Sequence, residues 1–195
     1  MPLATSSSPR LPNQNVQTKL VAAAEQLIFE QGFLKIGVRD IARKAGVYPV
    51  EIYRLGLTKT DLLALVAIGP GERQLGRVQE FLHSSPPKGS LLQRVKTYLL
   101  FLYGLDIEAL PIRSQSAGFG WFWGARYEDD IVSQVVQFLD PIERWIIEKD
   151  LSEPRERCML VWSLYYVGFR AAVVNGKSAQ ECLDGIERPL AIALR

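Results

Sequence analysis

Val38-Arg39-Asp40-Ile41-Ala42-Arg43-Lys44-Ala45-Gly46-Val47-Tyr48-Pro49-Val50-Glu51-Ile52-Tyr53-Arg54 is the stretch that decides the fold. Ile41, Ala42 and Ala45 recur at three- to four-residue spacing, the pattern of a short helix with one buried side. Gly46-Val47 ends that pattern in a tight turn. Pro49 suits the first position of a following helix, where its missing N–H is not needed. That helix runs to about Leu55, with Ile52 and Tyr53 placed to face inward, and Gly56 ends it.

Upstream, Val16, Leu20, Ala23, Leu27 and Ile28 form an apolar stripe, so a first helix precedes the pair. Asn13 or Asn15 suits its cap, and Gly32 its left-handed stop. Three helices with a glycine turn between the second and third make a helix-turn-helix. Small Ala42 lets the two helices cross closely, Val47 fills the gap beneath the turn, and the third helix is left free to enter a major groove.

Downstream, Thr58-Lys59-Thr60-Asp61 approximates a capping box, so a longer helix starts near Lys59. Gly69-Pro70-Gly71 is expected to interrupt or kink it. Ser84-Ser85-Pro86-Pro87 reads as a linker. Helical patterns follow over 91–105, 129–147 and 154–175. A second capping box, Ser178-Ala179-Gln180-Glu181, opens a last helix kinked at Pro189. No segment alternates with period two. The expected fold class is all-α, an N-terminal three-helix helix-turn-helix domain plus a larger C-terminal helical ligand-binding and dimerisation domain. The expected divisions are a disordered arm over 1–14, the DNA-binding head over 15–60 and the regulatory body over 61–195.

Composition agrees with a soluble globular chain. The 195 residues are 48% hydrophobic and 23% charged, with a formal net charge of +2. The balance is uneven: residues 1–70 hold eight Lys/Arg against five Asp/Glu. A mildly basic head suits modest phosphate binding. Cys158 and Cys182 are too sparse for a disulfide framework, which suits a reducing cytoplasm. If the last two helices form a hairpin, the two sulfurs lie about 20 Å apart, beyond disulfide reach. The opening residues lack the apolar stretch of a secretory signal, and the longest apolar run, 160–174, includes Arg170 and is shorter than a bilayer requires. A cytoplasmic, nucleoid-associated protein without a membrane role is expected.

The head resembles the TetR-type (tetracycline-repressor-like) transcriptional regulators. The resemblance is carried by Gly32-Phe33, the run Val38 to Val47, Ile52-Tyr53, and Thr58-Lys59 before an apolar helix, and it spans about residues 16–66. It implies a homodimer that represses from a roughly palindromic operator and responds to a ligand. Carried over by position, the DNA contacts are Val38, Arg39, Tyr48, Pro49, Val50, Glu51, Tyr53, Arg54 and Lys59. The chemistry of three supports this independently. The Tyr53 hydroxyl can donate to phosphate, Lys59 can meet phosphate at a helix N-terminus, and Arg54 can pair with phosphate or a guanine edge. The sequence departs from the family pattern at Gly37, at Tyr48-Pro49-Val50-Glu51 and at Leu55-Gly56. Glu51 can accept from a cytosine amino group, yet it repels phosphates. Unusual operator specificity and weakened DNA binding are both open, the latter leaving a helical dimeric ligand- or protein-binding module.

Two further groupings stand out. Residues 98–127 hold Tyr98, Phe101, Tyr103, Phe119, Trp121, Phe122, Trp123 and Tyr127, eight of nineteen aromatics. Glycines at 118, 120 and 124 leave gaps beside them, which favours an apolar pocket for a small apolar or aromatic effector, with Gln115 and Arg126 as polar anchors. Core filling explains the same aromatics equally well. In the last helices, Gly168, Ala171 and Ala172 form a small-residue seam, and Trp162, Tyr165, Gly168, Ala172, Ile186 and Leu190 are candidates for a four-helix dimer interface. An enzyme is not expected. His83 is the only histidine, a metal site would rest on it, and the carboxylates at 128–130 are explained by the dipole of the helix they open. No cofactor is implied.

Overall fold

The computed structural model describes residues 12–119 and 126–195, with side chains for all of these except 12–14, 70 and 116–119. Every regular element among them is helical. In chain order they are α1 (Pro12–Gln31), a 3-10 turn (Phe33–Lys35), α2 (Val38–Ala45), α3 (Pro49–Arg54), α4 (Lys59–Ser84), α5 (Leu91–Glu108), α6 (Leu110–Phe119), α7 (Glu128–Ile147), α8 (Pro154–Asn175), α9 (Ala179–Asp184) and α10 (Glu187–Ala193).

Two apolar cores organise these helices. The first gathers Leu20, Ala24, Ile28, Ile41, Ala42 and Ile52 with Leu62, Leu63 and Val66 from the start of α4. Ala42 is fully buried, as the crossing of two helices demands. Gly46 takes φ +66, and Val47 N–H returns to the Ala42 carbonyl at 3.0 Å. A side chain at position 46 would be strained in that left-handed backbone, so the turn requires glycine. Gly32 likewise stops α1 at φ +81.

The start of α1 differs from expectation. The helix opens at Pro12, so Asn13 and Asn15 lie inside it and residues 12–14 are helical. Proline at a first position needs no donor, which makes an asparagine cap unnecessary. Residues 1–11 lie outside the described residues. At α2, Gly37 precedes the helix without a side-chain cap of its own, and the Asp40 carboxylate accepts from its N–H at 2.9 Å.

The second core joins α5, α7, α8, α9 and α10 with the end of α4 around Tyr98, Tyr103, Ile142, Val161, Tyr165 and Phe169. Tyr103 and Tyr165 stack at 4.5 Å, and the Tyr103 hydroxyl donates to the Tyr165 carbonyl at 3.0 Å. Helix α4 is shared by both cores, since Leu62 belongs to the first and Val78 to the second.

Gly69-Pro70-Gly71 does not interrupt α4, which is helical from 59 to 84. Neighbouring α7 closes over this point. Gln134 donates to the Ile68 carbonyl at 2.9 Å, and a Cβ on Gly71 would overlap the Gln134 amide. The C-terminal segment, by contrast, does break, between α9 and α10. Pro189 falls in the first turn of α10, the one place where its missing N–H leaves no bond unmade.

Candidate functional site

Helix α3 has one fully buried residue and shows most of the rest of itself to solvent. Ile52 is fully buried, whereas Tyr48, Val50 and Tyr53 are 78%, 55% and 69% exposed. Tyr53 thus points outward and not inward. Six residues bury only one anchor, because the turn before α3 and the glycine after it leave less than two turns of helix. Arg39 at the start of α2 and Arg54 are exposed, and Val38 and Pro49 are half-buried at the base of the same surface. Glu51 and Arg54 form an ion pair at 3.1 Å.

The start of α4 completes this surface. Thr58 Oγ1 accepts from the Asp61 N–H at 3.1 Å, and the Asp61 carboxylate accepts from the Thr58 N–H at 2.7 Å, a closed capping box. Lys59 lies over the Phe33 ring, 4.3 Å from its centroid, and burial against the ring lowers its pKa. The ammonium is therefore held at a helix N-terminus, where the dipole also favours an anion.

Head and body meet along a polar seam. Arg126 donates to the Gly56 carbonyl, just beyond α3, at 3.0 Å, and lies 3.8 Å from the Asp61 carboxylate. Arg73 pairs with Glu25 at 2.6 Å, and Ile112 of α6 inserts into the head core. Arg126 is accordingly an exposed residue of this seam.

Inside the body lies a small crevice of about 10 Å³, bordered by Gln74, Leu105, Asp106, Arg113, Trp162 and Tyr165. Arg113 donates to both Asp106 oxygens, at 2.8 and 3.1 Å, and the Tyr165 hydroxyl donates to Asp106 at 2.7 Å. Burial, reinforced by Asp106, raises the Tyr165 pKa well above its usual value, so it stays a donor. The sequence reading missed Asp106 and Arg113. A lone carboxylate in the apolar run of α5 was the available signal.

The described aromatic candidates sit elsewhere. Tyr98 is core, its hydroxyl donating to the Phe138 carbonyl at 2.9 Å, and Phe101 stacks on Phe81 at 4.1 Å. Gln115 is half-buried on α6. Trp121, Phe122 and Trp123, and the side chain of Phe119, lie outside the described residues.

The dimer candidates are also redistributed. Tyr165, Gly168, Ala172, Ile186 and Leu190 are buried in the chain's own core, and Trp162 stacks on Tyr165 at 5.2 Å. None of the five buried residues is available to a partner. The outer face of α8 instead exposes Met159, Leu160, Val167 and Val174, each more than half exposed, with Ile192 of α10.

This geometry matches known proteins in both parts. Residues 20–66 match the family model of bacterial regulatory proteins, tetR family. Over those residues the head is similar to that family. The whole TetR-type fold continues into the body. A putative TetR-family transcriptional regulator from Mesorhizobium loti is similar at 13% identity and TM-score 0.64, over 95% of this chain and 98% of that one. FadR from Bacillus subtilis, in complex with stearoyl-CoA, is similar at 16% identity and TM-score 0.63, over 91% and 96%. A TetR/AcrR-family regulator from Thermobifida fusca is similar at 18% identity and TM-score 0.61, over 89% and 95%. No curated protein matches the chain. At these identities the likeness to the solved structures is one of fold.

Proposed function

We propose that the chain is a ligand-responsive transcriptional repressor that binds a palindromic operator as a homodimer, with 15–60 as its DNA-binding head and 61–195 as its regulatory body. The observation that carries this is α3, which buries Ile52 alone and presents Tyr48, Val50, Tyr53 and Arg54 outward. Exposed aromatic and aliphatic side chains beside cations have no packing role there, and they suit the floor and walls of a major groove. Lys59 at the α4 N-terminus and the Tyr53 hydroxyl supply phosphate contacts that set register. Arg39 adds another, with Val38 and Pro49 packed behind it.

The second copy is supported by the outer face of α8. By length and composition this helix is apolar enough to cross a bilayer, but its inner face is packed in the body core. Met159, Leu160, Val167 and Val174 then form an uncovered stripe that another copy of α8 can bury. Two recognition helices so joined need to sit roughly 34 Å apart to meet successive major grooves. The effector reading, a small apolar or aromatic ligand, is supported by FadR, which is solved in the same fold in complex with stearoyl-CoA, a ligand that includes a long apolar chain. A ligand that favours another arrangement of the two heads releases DNA by that difference in affinity. We place the protein in the bacterial cytoplasm, at the nucleoid.

The test is selection from a random duplex pool with the full chain, followed by titration at several salt concentrations. Repression requires one enriched palindromic motif and an affinity that falls steeply with salt. A folded dimer that enriches no motif refutes the reading and favours a dimeric ligand- or protein-binding module, the alternative that Glu51 on α3 keeps open. Val167→Glu, which places a charge on the α8 stripe, is expected to yield monomers by sedimentation.

A further inference from the structure

Helix α3 turns about 100° per residue, so the buried Ile52 fixes where its neighbours point. Val50 and Arg54 each stand about 160° around the helix from Ile52 and form the ridge farthest from the protein. Tyr53 lies on one flank, beside Val50, and Glu51 on the other, beside Arg54. A helix seated in a major groove turns its outermost ridge to the base edges and its flanks to the phosphate walls. On that placement Arg54, whose side chain is 72% exposed, is on the base side and Tyr53 on the phosphate side. Glu51 would face phosphate, which repels it. Its carboxylate instead reaches Arg54, with Oε1 3.1 Å from Nη1, and its side chain is only 30% exposed.

We propose that Glu51 is a positioning residue that holds the Arg54 guanidinium for bidentate reading of a guanine, while Val50, one turn earlier, packs on a thymine methyl. The inference rests on the DNA-binding reading above. Two features of the pair support it. A guanidinium held from one side by a carboxylate keeps its remaining N–H groups in a fixed fork, the geometry that the O6 and N7 acceptors of guanine require. The pair is also close to neutral, so a carboxylate enters the groove without adding net negative charge. Four residues of helix span about 6 Å and successive base pairs about 3.4 Å, so the guanine and thymine lie about two base pairs apart in each half-site.

The experiment uses the selected operator, its single-base variants and unrelated duplex, with full-length wild type, Arg54→Lys, Glu51→Gln and the double variant, measured by fluorescence anisotropy. In the wild type, replacing the guanine by adenine is expected to weaken binding roughly 5- to 150-fold. Arg54→Lys is expected to remove most of that ratio. Glu51→Gln is expected to lower it at least threefold at the same base pair while tightening binding to unrelated duplex, because a negative charge has gone. The double variant is expected to discriminate no worse than Arg54→Lys alone. An unchanged ratio in Glu51→Gln overturns the proposal, as does a changed ratio at a different base pair, which would make Glu51 a direct reader of cytosine. Equal loss on all sequences in Arg54→Lys also overturns it, since that is the mark of a phosphate contact. A wild type that enriches no motif is a separate result and refutes the repressor reading itself.

Discussion

Gly168→Ala tests how the last helices are used, because a seam within the chain and a seam between copies predict different outcomes. In α8, a Cβ on Gly168 would overlap the Tyr103 hydroxyl and sit 2.9 Å from both Tyr103 Cζ and the Cys182 carbonyl oxygen. Neither neighbour retreats easily. Tyr103 is fully buried with its hydroxyl bonded to the Tyr165 carbonyl, and the Cys182 oxygen is backbone. Overpacking of this kind costs about 1–3 kcal/mol. Displacing the Tyr103 hydroxyl adds about 1 kcal/mol. Replacing a helical glycine by alanine returns about 1 kcal/mol. The net expectation is a loss of about 1–3 kcal/mol, and a chain of this size then melts roughly 4–8 °C lower for a 2 kcal/mol loss. Calorimetry at two protein concentrations tenfold apart is the assay, and the same loss is expected at both. Adding Tyr103→Phe removes the hydroxyl beneath the new methyl and is expected to recover part of it. A variant within about 0.5 kcal/mol of wild type refutes the packing argument. A loss that fades at the higher concentration would return Gly168 to the dimer interface.

Four other outcomes are expected. Asp106→Asn leaves the Arg113 charge buried and uncompensated, so urea midpoints should report a loss of about 3–5 kcal/mol, largely recovered when Arg113→Met is added; a single-variant loss under 1 kcal/mol would contradict this. Cys158 and Cys182 are both buried, and burial pushes the Cys158 thiol up to about 12, so a thiol reagent at pH 8 should label the native protein only as fast as it unfolds; rapid stoichiometric labelling is the contrary result. Thr58→Ala removes the acceptor for the Asp61 N–H and should cost about 1 kcal/mol, with Thr58→Ser restoring it. Lys59→Ala should weaken binding to every duplex alike and lower the salt slope by about one counterion, and a change in sequence preference would argue against a phosphate role.

Much of the head was legible because its signals are local. Gly46 must take a left-handed backbone, Pro49 can only open a helix, and Thr58 with Asp61 closes a cap over three residues. Each is decided by neighbours a few positions away, so residue order suffices. The outward turn of Tyr53 was not legible, since its spacing from Ile52 fits either side of so short a helix. The continuity of α4 through Pro70 was hidden for another reason. Its support comes from Gln134, sixty-six residues away from Ile68.

The body marks the limit. Helix α8 is apolar nearly all round, so periodicity offers no preferred inner face, and only packing against α5 and α9 chose Tyr165, Gly168 and Phe169 over Met159, Val167 and Val174. The Asp106–Arg113–Tyr165 cluster joins three helices and a separation of fifty-nine residues that no local pattern encodes. The sequence by itself determined most of the helices, the caps at Thr58 and Ser178 and the glycine turn of the head, because short-range sterics and hydrogen bonds settle those. The tertiary structure alone decided which apolar face is core, which is surface, and where a buried charge finds its partner, because burial depends on what arrives from elsewhere in the chain.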